Sequence, residues 1–145
     1  MIALLQRVQH ASVTVDNKII GEINKGILLF IGVEKNDSEE KAKRLSERFL
    51  SYRVFSDEQD KMNLSVADIH AGVLLVPQFT LAADTRKGNR PSFSSAAPPE
   101  LSQQLFDYIV KQTHQNYDTV ATGQFGADMK VNLLNDGPVT FWLQV

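Results

Sequence analysis

Gln78, Phe79 and Thr80 follow the most apolar β-type run in the second half of the chain, Val73-Leu74-Leu75-Val76, with Pro77 between. A buried strand needs only apolar side chains. An amide and a hydroxyl at its end, with an aromatic between them, are a common way of delivering polar groups into a pocket. Taken alone, the simpler reading is an edge strand closing into a loop, with the Thr80 hydroxyl bonded to backbone. A second polar group follows in Arg86-Lys87-Gly88-Asn89-Arg90-Pro91-Ser92-Phe93. Taken alone, such a charge cluster is a solvated loop. Beside a polar strand end, Arg86, Lys87 and Arg90 make an anion-binding lip a competing reading.

The other familiar chemistries are missing. There is no Cys, so disulfides, thiol nucleophiles and Cys-based metal sites are excluded. His10, His70 and His114 are far apart and lack metal-ligand spacing. No phosphate loop, dinucleotide fingerprint or nucleophile elbow is present. Glu39-Glu40 falls at an expected helix start, where capping explains it better than acid–base work. No metal and no cofactor are expected, and no general base is evident. An enzyme built from this chain has to rely on backbone donors, on positioning and on a group of the substrate.

The elements that must position these residues follow from pattern. The 145 residues, 43% hydrophobic and 22% charged, fit one ordinary globular domain spanning 1–145. No apolar run approaches the ~20 residues of a membrane helix. No export signal is evident, so a cytosolic address is expected. A net charge of −2 argues against broad electrostatic binding along a nucleic acid, and leaves open binding to one end of it through a local basic loop. Ile2 to Val15 reads as a strand, Asp16-Asn17-Lys18 as a hairpin turn and Ile19 to Ile23 as its return. Ile27 to Val33 reads as a buried central strand. Asp37 with Glu40 suggests a capping box opening a helix from about Ser38 to Ser51. Arg53 to Phe55 suggests a short strand, Asp57 to Asp60 a charged loop, and Lys61 to Ala71 is ambiguous. Val73 to Phe79 is the strand of the polar end. Ala82 to Pro98 is a long loop of the kind that is usually functional. Pro98-Pro99-Glu100 opens a second helix that ends near His114-Gln115-Asn116. Met129 to Leu133 and Val139 to Val145 alternate as strands, with Asn135-Asp136-Gly137-Pro138 a dense breaker between them.

Three segments together resemble the D-aminoacyl-tRNA deacylases: PQFTL at Pro77 to Leu81, GNRPSF at Gly88 to Phe93 and NDGPVTF at Asn135 to Phe141. GADM at Gly126 to Met129 extends the likeness, which covers essentially the whole chain. The resemblance implies a mixed α/β single domain of two packed β-sheets or a partial barrel, with two helices on one side in three layers. It implies a cytoplasmic homodimer, with its site at the subunit interface, that cleaves D-aminoacyl-tRNA and glycyl-tRNA and needs no membrane. The family's Ser-Gln-Phe-Thr motif is matched by Gln78, Phe79 and Thr80, the catalytic group. Its Gly-cis-Pro pair is matched by Gly137 and Pro138, which reach the partner's pocket and, with Met129 and Arg7, select the chirality of the substrate. Arg86, Lys87 and Arg90 are the tRNA-contact candidates.

One position departs from the family. Pro77 stands where the family usually has Ser, and it offers neither a hydroxyl nor a backbone N–H. An oxyanion must then be held by later donors, most simply the N–H groups of Phe79 and Thr80. Thr80 has no base beside it in sequence and suits a positioning role better than a nucleophilic one. Arg7 suits support of the Gly137-Pro138 loop through its carbonyls. Two other classes remain open. One is a small-ester hydrolase with Thr80 as nucleophile. The other is a non-catalytic module that binds an RNA 3′ end.

Overall fold

The computed structural model describes residues 1–145. Strand β1 (Ile2–Val15) organises it. Ala3 and Leu5 point to one face and Val8, Ala11 and Val13 to the other, and all five are buried. Exposed Gln9 and His10 mark the bend at which the strand turns over. The first half of β1 pairs antiparallel with β3 (Gly26–Gly32), the second half with β2 (Lys18–Ile23). Asp16 and Asn17 close the β1–β2 hairpin at φ 47° and 62°, the positive values such a two-residue turn favours.

β3 runs parallel to β6 (Gly72–Pro77), and β6 to β7 (Val120–Thr122). β8 (Lys130–Gln144) lies antiparallel along the other edge of β1. β4 (Phe55–Ser56) and β5 (Met62–Leu64) form a separate small hairpin. The parallel pairs are joined through α1 (Glu39–Ser51) and α2 (Pro99–Asn116), as parallel strands require.

Both helices cover one face of the sheet. Ala42, Leu45 and Phe49 of α1, with Leu105, Phe106 and Ile109 of α2, pack on Ala3, Leu5, Ile27, Leu29, Ile31, Val73 and Leu75. On the other face, Val13 and Ile23 from the turned-over arm close on Leu28, Leu74 and Val76, with Val131 and Leu133 of β8 beside them. The result is three layers: helices, sheet and arm. Two packed β layers forming a nearly closed barrel, with two helices on one side, is the architecture expected from the resemblance. No helix is long and apolar enough to cross a membrane.

Several local expectations need correction. β6 does not run to Phe79. Its last ladder bond is Gln78 N–H to the Ile31 carbonyl, 2.7 Å, and its partner β3 ends one residue later. With no ladder left, Phe79–Ala82 winds into a 3₁₀ turn. Asp37 does not cap α1. Ser38 does, accepting from Lys41 N–H, while the buried Asp37 carboxylate lies 2.7 Å from the Met1 ammonium. A buried charge needs a partner more than a helix end needs this particular cap. The breaker at Asn135 to Pro138 does not end a strand, since β8 is continuous from Lys130 to Gln144. Gln6 pairs with Thr140 and Val8 with Asn135, so the segment bulges out of an unbroken edge. The Asn135 side-chain amide donates 3.0 Å bonds to the Arg7 and Val139 carbonyls and replaces what the backbone loses there. β7 was not expected at all; three residues carry too little periodicity to show.

Candidate active site

Gln78 ends the ladder, and Phe79 and Thr80 open the 3₁₀ turn. The first N–H groups of any helical turn have no acceptor within it. The N–H groups of Phe79 and Thr80 bond to no carbonyl or side chain of the chain. Both residues are exposed, so the turn that carries these two adjacent donors is accessible from outside. The Thr80 hydroxyl is bonded to the Gln78 side-chain amide. An amide is not a base in either orientation, so the hydroxyl is placed but not activated. Thr80→Ala is expected to slow ester hydrolysis about tenfold without abolishing it, the scale of one lost hydrogen bond at a reacting centre. Single-turnover rates check this, and an acyl group trapped on Thr80 would overturn it.

A cleft of about 460 Å³ opens beside these donors. Val76, Pro77, Gln78 and Phe79 form one wall, Phe125 to Met129 and Val131 another, and Ala97, Pro99 and Ser102 the floor. Its lining is mainly apolar and contains no cation. Met129 is held in place by a 3.4 Å bond from Gln124 N–H to its sulfur. Of the second wall, the sequence had singled out only Met129 and the motif around it. Phe125 was missed, because nothing in its spacing links it to Phe79. Ser102 was missed because on α2 it reads as an ordinary helix residue.

The loop after the turn carries the cations. Backbone bonds between Asp84 and Ser92 close it at its base. Arg86 is not a free cation: its Nε and Nη2 donate to the Asp84 carboxylate at 2.9 and 2.6 Å. That guanidinium holds the Asp84 carboxyl far below the usual range. Lys87 and Arg90 are exposed and make no ion pair. Of the expected anion-binding lip, two charges are thus available and one is committed. Phe93 packs on Phe79, their ring centroids 5.1 Å apart.

Arg7, Gly137 and Pro138 lie elsewhere. Arg7 Nη1 donates to the Val54 carbonyl at 2.7 Å and Nε to the Asp136 carbonyl at 3.2 Å. Its Nε is also 3.3 Å from the Asp136 carboxylate. The Gly137–Pro138 peptide is cis, with Gly137 at φ 123°. That φ is one L side chains rarely adopt, so glycine is favoured by conformation, and a Cβ there would also stand 2.9 Å from Arg7 Nη2 and 2.8 Å from Val139 Cγ2. Both bulge residues are exposed. The bulge sits beside Val8, at the end of the sheet where Gly26 meets Gly72; Pro77 sits at the other end, opposite Ile31. Five residues of strand put the two regions roughly 17 Å apart along the sheet, with three strand spacings of about 4.8 Å across it. One chain does not bring them together.

The family profile described as D-Tyr-tRNA(Tyr) deacylase matches residues 4–144. The chain belongs to this family. A D-aminoacyl-tRNA deacylase of Janthinobacterium sp. (strain Marseille) is 60% identical over 145 residues, covering 100% of this chain and 97% of that one. One from Escherichia coli O1:K1 / APEC is 57% identical over all of both chains. Among solved structures, a c-Myc DNA unwinding element binding protein superposes with a TM-score of 0.95 at 37% identity, covering 100% of this chain and 99% of that one. A probable eukaryotic D-amino acid tRNA deacylase superposes at 0.87 and 15% identity, over 99% and 98% of the two chains, a likeness of fold. The deacylase family therefore spans the strand end, the cleft and the bulge alike.

Proposed function

We propose that this chain hydrolyses the ester between a D-amino acid and the 3′ end of a tRNA, releasing both intact. The observation that carries the mechanism is the pair of unpartnered N–H donors on Phe79, which lines the cleft, and on Thr80, the next residue. An aminoacyl ester is already activated, so its hydrolysis needs modest help. As a nucleophile adds to the carbonyl, charge develops on its oxygen. Two fixed donors at that point stabilise the charge without reorganising. Pro77 offers no donor, so Phe79 and Thr80 supply both. The attacking water draws its assistance from the ribose 2′-hydroxyl beside the ester, because no side-chain base stands at the turn. Met129 and Phe125 enclose the terminal nucleoside, and Lys87 and Arg90 meet the phosphates before it. A substrate of glycine, with no side chain to obstruct, is cleaved as well. Charged tRNA is a cytosolic substrate, and residues 1–145 act on it as one domain.

The site is completed by a second copy of the chain. The spacing between the turn and the Gly137–Pro138 bulge supports this, since both are exposed and neither reaches the other within one chain. The outer edge of β8 also has no strand partner and carries exposed Leu134 and Trp142. Unpaired edges of this length are rarely left open.

The test is release of D-Tyr from D-Tyr-tRNA by nanomolar protein in the presence of a chelator. Steady release is expected. Loss of activity that zinc restores contradicts the metal-free site. The structural neighbour named for DNA binding favours a second reading, a nucleic-acid-end binding module. Tight binding of intact D-Tyr-tRNA without turnover would establish that reading instead.

A further inference from the structure

Gly32 is the last residue of β3 and lies directly beneath the 3₁₀ turn. A Cβ built on it would stand 2.9 Å from Leu81 Cβ, 3.2 Å from the Gln78 carbonyl oxygen and 3.5 Å from Ala82 N. Its φ is not in the left-handed region, so glycine is not needed there for conformation. It is needed for room. Leu81 Cβ is fixed to the backbone and cannot rotate aside. Any side chain at position 32 therefore moves the backbone of the turn, and that backbone carries the Phe79 and Thr80 donors.

From this contact we propose that Gly32 is a positioning residue for ester hydrolysis. Its bare Cα sets the height of the Phe79–Thr80 donors above the strand end. The neighbouring bond from Gln78 N–H to the Ile31 carbonyl, 2.7 Å, fixes the start of the turn; contact with Gly32 fixes its body. A displacement approaching 1 Å at a reacting centre costs on the order of a hundredfold in rate. The inference rests on the reading of Phe79 and Thr80 as oxyanion donors.

The experiment compares Gly32→Ala with Gly72→Ala on D-Tyr-tRNA. Gly72 meets a similar obstruction, Ile23 Cβ at 2.8 Å, but sits at the other end of the sheet from the turn. Both variants are expected to lose some thermal stability. Only Gly32→Ala is expected to lose kcat, about tenfold or more, with KM changed less than about threefold, because the loss falls on the transition state. The same substitution is then made in a Leu81→Gly background, where the tightest contact, 2.9 Å, is gone and only the milder 3.2 Å approach to the Gln78 carbonyl remains. There it is expected to cost less than about threefold, a coupling between touching residues. This arm also serves if Gly32→Ala alone does not fold. A wild-type kcat in Gly32→Ala overturns the inference, as does an equal loss in both backgrounds or an equal loss in Gly72→Ala. If the unmodified protein fails to cleave D-Tyr-tRNA, the functional reading fails instead, and the two failures are told apart.

Discussion

The same tRNA charged with L-Tyr should be cleaved at least about a thousandfold more slowly than when charged with D-Tyr, a difference of roughly 4 kcal/mol in transition-state stabilisation. The relatives' names concern D-aminoacyl-tRNA in general, and the character of the cleft bears on how a site of this kind would select. It is mainly apolar, and its one charged lining residue, Asp128, is paired with Lys130, so the proposed site has no free charge to grip one particular amino-acid side chain. A site that does not grip must obstruct. In the proposed site the obstruction is the exposed Gly137–Pro138 backbone of a second copy of the chain. Backbone held in this way has no rotamer by which to yield. Selectivity built on obstruction should be nearly independent of which D side chain is offered, and this separates it from selectivity built on grip. The measurement is kcat/KM for D-Tyr-tRNA, D-Phe-tRNA and L-Tyr-tRNA at one salt concentration. Comparable values for the two Tyr enantiomers would sink the idea.

Arg7→Ala should be the most damaging single change outside the turn. The guanidinium is 14% exposed and joins three groups from distant parts of the chain: the Val54 carbonyl, the Asp136 carbonyl and the Asp136 carboxylate. Its removal leaves two carbonyls without their donor and a partly covered carboxylate without its counter-charge. The expected cost is about 2–4 kcal/mol, or a fall in Tm of roughly 5–15 °C for a chain of this size. Activity should fall further than stability, by about a hundredfold, because in the proposed site the freed bulge no longer holds its position over the substrate. Arg7→Lys keeps the charge but not the fork, and should recover only part of either loss. Calorimetry with kcat on D-Tyr-tRNA checks both halves. A variant with unchanged Tm and unchanged kcat would remove Arg7 from the mechanism.

The parts of the fold legible in sequence were those written in local period: β1, β2, β3 and both helices. The parts that were not legible depend on partners distant in sequence. The 3₁₀ turn exists because β3 stops, which the residues of β6 cannot state. Asp37 has the spacing of a cap, and only the fold brings the Met1 ammonium to it. Asn135 to Pro138 carries every local sign of a chain break, yet the Asn135 amide and the long partner strand carry β8 through it. At the site, Gln78, Phe79 and Met129, marked by motif, line one cleft, and Thr80 follows Phe79 just outside it. The cation loop looked like three equal charges until Asp84 was seen to hold one of them.

The placement of the bulge and the turn at opposite ends of the sheet also has a meaning for inheritance. If each pocket takes its donors from one chain and its barrier from the other, lesions in the two regions behave as separate units. Pair a chain damaged at the turn with a chain damaged at the bulge. One pocket of that mixed pair collects both defects and the other collects neither. With equal supply and random pairing, half the dimers are mixed, so roughly a quarter of all pockets remain whole. Two alleles that are each inert alone would then complement one another, while two alleles damaged in the same region would not.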